Sequence, residues 1–184
     1  IFPLLEAIKN LKDKGFIFDV ELYLDDDFRK NHIKVIEKYS NIISFNRYVK
    51  PLKYIELLNS ADLLILLDVD EDFGKLFFQS KLVDYIGSEN QILHIGKSNT
   101  FNKHLILKNN CLSSLNDSIT LQKVLKKVII SKKAFIPNKK LIDKYRLEKV
   151  SLNLANFLDK ITSNVKKNLW KLFSDFSYNN FYSI

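Results

Sequence analysis

Ser80, Lys81 and Asp84 fall within five positions of one another in the segment Asn59 to Gly96, NSADLLILLDVDEDFGKLFFQSKLVDYIGSENQILHIG. A carboxylate one turn inside a helix can accept two hydrogen bonds from the vicinal hydroxyls of a ribose, and acidic residues do this in many nucleotide sites. Lys81 lies three residues earlier, on the same helical face, where its ammonium could reach a diphosphate. Ser80 and the backbone amides around Gln79 open the helix and could hold the same anion. The spacing equally describes an ordinary surface Lys–Asp pair, worth roughly a few tenths of a kcal/mol. Spacing alone leaves both readings open.

The remaining reactive side chains point to less. His32, His94 and His104 are scattered, with no Cys/His/acid spacing that suggests zinc. His94 lies in ILHIG near the end of a strand and is expected to be packed or capped there, with approach to a bound sugar as the other reading. Cys111 has no charged neighbour to activate it and reads as a buried hydrophobe. Asp25, Asp26 and Asp27 are consecutive, so their side chains diverge; a helix N-terminal cap is expected rather than a cation site.

The elements that must position these residues alternate from the start. Leu4, Leu5, Ile8 and Leu11 have helical spacing, ending near Gly15. Phe16 to Leu24 is β-rich, a helix is expected from Phe28 to Tyr39, and a short strand from Ile42 to Phe45. Pro51 opens a helix carrying Ile55, Leu57 and Leu58. Ala61 to Leu67 reads as a strand, continuously apolar from Leu63, as in a parallel strand covered on both faces. Leu76 to Ile86 reads as a helix and Gln91 to Ile95 as a strand. His104 to Leu107 reads as a last short strand, followed by helices over Asn116 to Ser131, Lys139 to Tyr145 and Glu148 to Ser163. Repeated β-α units of this kind predict an α/β fold with a doubly wound, Rossmann-like parallel sheet. Strand ends and helix N-termini then form the crevice in which ligands bind.

Composition narrows the class. With 184 residues, 46% hydrophobic and 27% charged, the chain can bury one sizeable core and is not of disordered type. One cysteine cannot form an internal disulfide, and a reduced, cytoplasmic setting is expected. Runs such as Leu63 to Leu67 are far too short to span a bilayer, and IFPLLEAIKNL lacks the features of a signal peptide. Four glycines leave no Walker or GxGxxG turn, which argues against a P-loop ATPase and a typical dinucleotide-binding dehydrogenase. The net charge of +8 is concentrated after residue 100. A lysine-rich solvated face explains it, and a peripheral contact with an anionic inner-membrane surface is the alternative. No aromatic-basic sheet motif accompanies the charge, so nucleic acid is not expected as a partner. The absence of methionine and the opening in a helix suggest a piece whose upstream part is missing.

SKLVDYIGSENQILHIG resembles the donor-site helix and strand of GT-B glycosyltransferases of the family 4-like (group 1) kind, approximately SKL-x-EY-x-x-S-x-x-P-I-L-x-x-G. Asp84 replaces the usual glutamate and Gln91 the proline. Upstream, ISFNRYVKPLKYIELLNSADLLILL is similar to I-x-F-x-G-Y-V-x-x-x-E-x-x-x-L-L-x-x-AD-L-L-L-x-L. Downstream, LIDKYRLEKVSLNLANFLDKI resembles the closing helix of the same family, and IFPLLEAIKNLKDKGFIFDVELYL its first helix and second strand. The resemblance runs in order along nearly the whole chain. It implies the C-terminal half of a GT-B fold, with the N-terminal domain and first strand absent. Residues 1–135 would be the nucleotide-sugar-binding domain, and 136–184 helices that pack back on the missing domain.

The resemblance also implies roles. Asp84 would bind the donor ribose, and Lys81 and Ser80 the diphosphate. Arg47, Tyr48 and Val49 would flank the base, and Asp68 to Gly74, Gly74 included, would border the sugar. Arg47 replaces the family's glycine and narrows the approach to the base. Glu71 to Gly74 begins like E-x-F-G, but the acid expected eight positions later is Gln79, so the paired-acid motif is not assigned. The implied activity is retaining transfer of a sugar from a nucleotide-diphosphate donor to a glycan or lipid-linked acceptor, as in surface polysaccharide synthesis. No cofactor and no metal are called for, no catalytic residue is identified, and the chain alone would bind a nucleotide weakly and transfer nothing. The tail from Val165 to Ile184, with Trp170, Phe173 and Phe176 beside Lys166, Lys167 and Lys171, would pack on the N-terminal domain, with an amphipathic helix at a membrane surface as the alternative. The rival expectation is a non-catalytic Rossmann-like interaction or regulatory domain that has lost donor binding.

Overall fold

Leu4, Leu5, Ala7, Ile8 and Leu11 fall on one face of the first helix, α1 (Phe2–Asp13), and all are buried. Gly15 ends it at φ +84°: its N–H donates to the Lys12 carbonyl at 2.9 Å and that of Phe16 to Leu11 at 3.1 Å. This left-handed closure is open to glycine at little steric cost. The computed structural model describes residues 1–68, 78–96, 101–131, 134–146 and 148–163. The chain divides into two compact units, Ile1–Ile142 and Asp143–Ile184.

The first unit is a mixed α/β structure. After α1 come β1 (Glu21–Leu24), α2 (Asp26–Asn31), α3 (Ile33–Tyr39), β2 (Ser44–Arg47), α4 (Pro51–Ser60) and β3 (Leu63–Leu67). Then follow α5 (Lys81–Gly87), β4 (Gln91–Ile95), α6 (Phe101–Lys108), β5 (Leu112–Ser114), α7 (Ser118–Ile130) and α8 (Lys139–Lys144). The strands form two parallel sheets, one of β1 and β2 and one in the order β3-β4-β5. Leu63 registers with Gln91 and Leu93 with Leu112, so β4 is paired on both flanks. Such an arrangement is compatible with a Rossmann-like fold.

Alternation along the strands assigns the two faces of the larger sheet. Leu63, Ile65, Leu93, Ile95 and Leu112 join one core cluster with α1, Leu121 and Leu125 of α7, and residues around both strands of the smaller sheet. The alternate set, Leu64, Leu66, Ile92 and His94, lies on the other face, where α6 contacts β4 and β5. Helix α5 buries Leu82 and Ile86, one helical turn apart. In the second unit, residues 148–163 form a helix that exposes Leu154, Phe157, Leu158 and Ile161.

Several expected elements are corrected. His104 to Leu107 is not a strand but part of α6, with Leu105 and Ile106 buried and Leu107 exposed, a one-sided helical pattern. The single helix from Phe28 to Tyr39 is two helices broken at His32, whose ring packs on Phe28 at 4.3 Å and edge-on to Phe2 at 6.3 Å. Strand β1 is confined to Glu21–Leu24, and β2 falls at Ser44–Arg47 rather than from Ile42. Helix α5 begins at Lys81; the opening turn expected at residues 76–77 lies outside the described residues, as do the EDFG stretch and the tail. β5 has no counterpart among the expected strands. Asp25 does cap α2, its side chain accepting from Phe28 N–H at 2.6 Å.

Candidate functional site

The buried pair Leu82 and Ile86 fixes α5 by one side, which leaves Lys81 and Asp84 on its exposed side. The two do not form an ion pair with each other. Asp84 Oδ2 instead accepts from the Tyr54 hydroxyl of α4 at 3.3 Å. Burial, reinforced by the Asp84 charge and by Tyr85 and Tyr48, pushes the Tyr54 phenol well above the usual range. Burial and the same carboxylate raise Tyr85. Tyr54 therefore stays a neutral donor, and Asp84 keeps lone pairs for further donors.

Tyr48 leaves the end of β2 at 85% exposure, close enough to Tyr54 to act on it electrostatically. Val49 next to Tyr48 is half-buried, and Arg47 is exposed with its guanidinium 3.7 Å from Asp26. Ser80 precedes α5 and makes no capping bond with its side chain. Of the expected site residues, Asp84 is bonded to Tyr54, which sequence reasoning missed, and Tyr48 acts on the same Tyr54 only electrostatically. Lys81 shares the exposed side of α5, Arg47 turns to Asp26, and Gly74 lies outside the described residues.

A second polar cluster stands at the ends of β3 and β4; the sequence singled out His94, and the family resemblance Asp68, but not their contact with each other. The His94 and Asp68 side chains are both fully buried, with Nε2 2.8 Å from Asp68 Oδ2 and Nδ1 3.1 Å from Ser113 Oγ. Asp68 Oδ1 accepts from Asn102 at 3.1 Å and from the Gln79 side chain at 3.2 Å. Gln79 also donates from its side chain to the Leu67 carbonyl at 2.7 Å and from its backbone N–H to Asn102 Oδ1 at 3.3 Å. An ionised carboxylate only accepts, so Nε2 carries the proton shared with Asp68, and in the neutral ring Nδ1 accepts from Ser113. His94 is therefore a packed and capped strand residue. The order Asp–His–Ser resembles an acyl-transfer relay, yet Ser113 lies within paired strand β5 and not on a turn that presents its oxygen.

The alternation of β3 and β4 explains the convergence. Leu64, Leu66 and Asp68 share one face; so do Ile92, His94 and Gly96; and His94 registers with both Leu66 and Ser113. A Cβ on Gly96 would come within 2.6 Å of Asp68 Cβ, so this glycine makes room for the aspartate. Asp68, the first residue beyond the LLILL strand and expected from the resemblance to border the sugar, has its side chain fully buried against His94.

A shallow cavity of about 330 Å³ lies at the opposite ends of the strands, where Gln91 begins β4 and Leu112 begins β5, with Lys127, Phe135 and Ile136 in its wall. Among the described residues no His/Cys/Asp/Glu group could hold a metal ion, and no helix is long and apolar enough to cross a membrane. Compared with known protein families and with curated proteins, the chain matches none.

Proposed function

We propose that the chain is the donor-binding part of a glycosyltransferase of GT-B type, with a doubly wound sheet. It would hold a nucleotide-diphosphate sugar between the end of β2 and the start of α5. The observation that carries this reading is the Tyr54–Asp84 contact: a carboxylate on the exposed side of α5 braced by one phenol, which the exposed Tyr48 also influences electrostatically. Asp84 would accept from the ribose hydroxyls, Tyr48 would stack on the base, and Lys81 would meet the diphosphate. The SKLVDYIGSENQILHIG resemblance supports the same assignment. Sugar transfer to a glycan or lipid-linked acceptor follows from that resemblance, and the basic charge after residue 100 favours an acceptor at an anionic membrane surface.

The test is calorimetric titration of the chain with UDP, GDP and their common sugar conjugates, beside Asp84→Ala and Tyr48→Ala. One nucleotide is expected to bind saturably, and each variant to weaken it about tenfold, or about 1.4 kcal/mol. The exposure of both Lys81 and Asp84 favours a second reading, a non-catalytic interaction domain. Absence of binding to every nucleotide, in the chain and in any longer form of the protein, would establish that one instead.

A further inference from the structure

We propose that Asp68 and His94 act as a positioning pair for the start of α5, setting the place of Gln79 and hence of Lys81 and Asp84. Gln79 is held at three points: its N–H on Asn102 Oδ1 and its side-chain amide on the Leu67 carbonyl and Asp68 Oδ1. Asn102 in turn donates to that same carboxylate oxygen, at 3.1 Å. These bonds on Gln79 therefore converge on Asp68 and the end of β3.

His94 locates Asp68. Its Nε2 takes the other carboxylate oxygen at 2.8 Å, and its own ring is tethered at Nδ1 by Ser113 of β5. The Asp68 N–H donates to the Ile95 carbonyl at 2.8 Å, and Gly96 leaves space for the aspartate to approach. The carboxylate is thus fixed from β4 and β5 while it fixes the residue that leads into α5. Its side chain and that of His94 are fully buried. Removing one donor leaves acceptor capacity that water cannot easily satisfy, so the group would shift and carry Gln79 with it. The effect on a ligand at Tyr48 and Asp84 would pass through the placement of α5, and that consequence rests on the nucleotide-site reading proposed for the chain.

The experiment combines backbone amide exchange by NMR with UDP and GDP titration, on the wild-type chain, His94→Leu and His94→Gln. Leucine fills space without hydrogen bonds, whereas glutamine keeps a donor for Asp68. In His94→Leu the Gln79 amide is expected to exchange at least about tenfold faster while α1 amides keep their protection, and His94→Gln should restore much of it. The nucleotide that binds the wild-type chain should bind His94→Leu at least about tenfold more weakly, again with partial recovery in His94→Gln. Unchanged Gln79 protection in folded His94→Leu overturns the proposal. Should that variant fail to fold, the isosteric Asp68→Asn takes its place, with faster Gln79 exchange expected and unchanged protection overturning the proposal. If the wild-type chain binds neither nucleotide but Gln79 loosens in the variants, the positioning pair stands and the nucleotide reading falls.

Discussion

At the scale of single residues, close approach and burial decide what can be changed. Gly96 faces Asp68 Cβ at 2.6 Å from where its own Cβ would stand, with the His94 ring at 3.2 Å. Neither neighbour is the loose end of a flexible side chain, so Gly96→Ala should destabilise the chain by about 1–3 kcal/mol, read from urea unfolding. Cys111 is buried, and burial pushes its thiol up to about 11 from 9.0 even though the Ile92 N–H and the Asn109 amide donate to its sulfur. At pH 8 the folded chain should therefore alkylate far more slowly than the unfolded chain. The folded state holds this proton more tightly, so stability is intact below pH 9.0 and falls as pH rises toward about 11. The loss should be at most about 2 kcal/mol and absent from Cys111→Ala, which pH-dependent urea titrations of both chains would show.

At the scale of elements, the helices α1 and α7 form the seam that covers one face of the larger sheet, with Leu121 fully buried in it. Leu121→Ala should cost about 2–5 kcal/mol in urea unfolding. Both helices were legible because each has an apolar stripe and an end signal, Gly15 for α1 and the Asp117 cap on Thr120 for α7. β3 was legible as a short, wholly apolar run and β4 as a short, mostly apolar one. A run of that kind is ambiguous between strand and buried helix, and His104 to Leu107 fell on the wrong side of the ambiguity. β5 is three residues with two serines, and no period or propensity announces it; pairing with β4 makes it a strand. Nor does any proline or glycine mark the break at His32, which comes with the packing of its ring between two phenylalanines. The candidate site shows the same division. Asp84 and Tyr48 could be named from local sequence, but the Tyr54 contact spans 30 positions and the Asp68–His94 contact 26, separations that only the folded chain closes.

At the scale of the whole molecule, the first unit places its polar groups at the ends of a small parallel sheet and its aliphatic groups on both faces of it. That separation is what allows a buried ionisable pair within an otherwise apolar strand arrangement. Strand direction also bears on the order of folding. Every strand pair in the described sheets is parallel. No hairpin is available from which these sheets could zip, and each pairing waits for a segment of about a dozen or more residues to loop back. The aspartate at the end of β3 meets its histidine only when β3 and β4 pair, and the histidine its serine only when β5 pairs beside them, so the completed polar cluster registers that the strands have found their places.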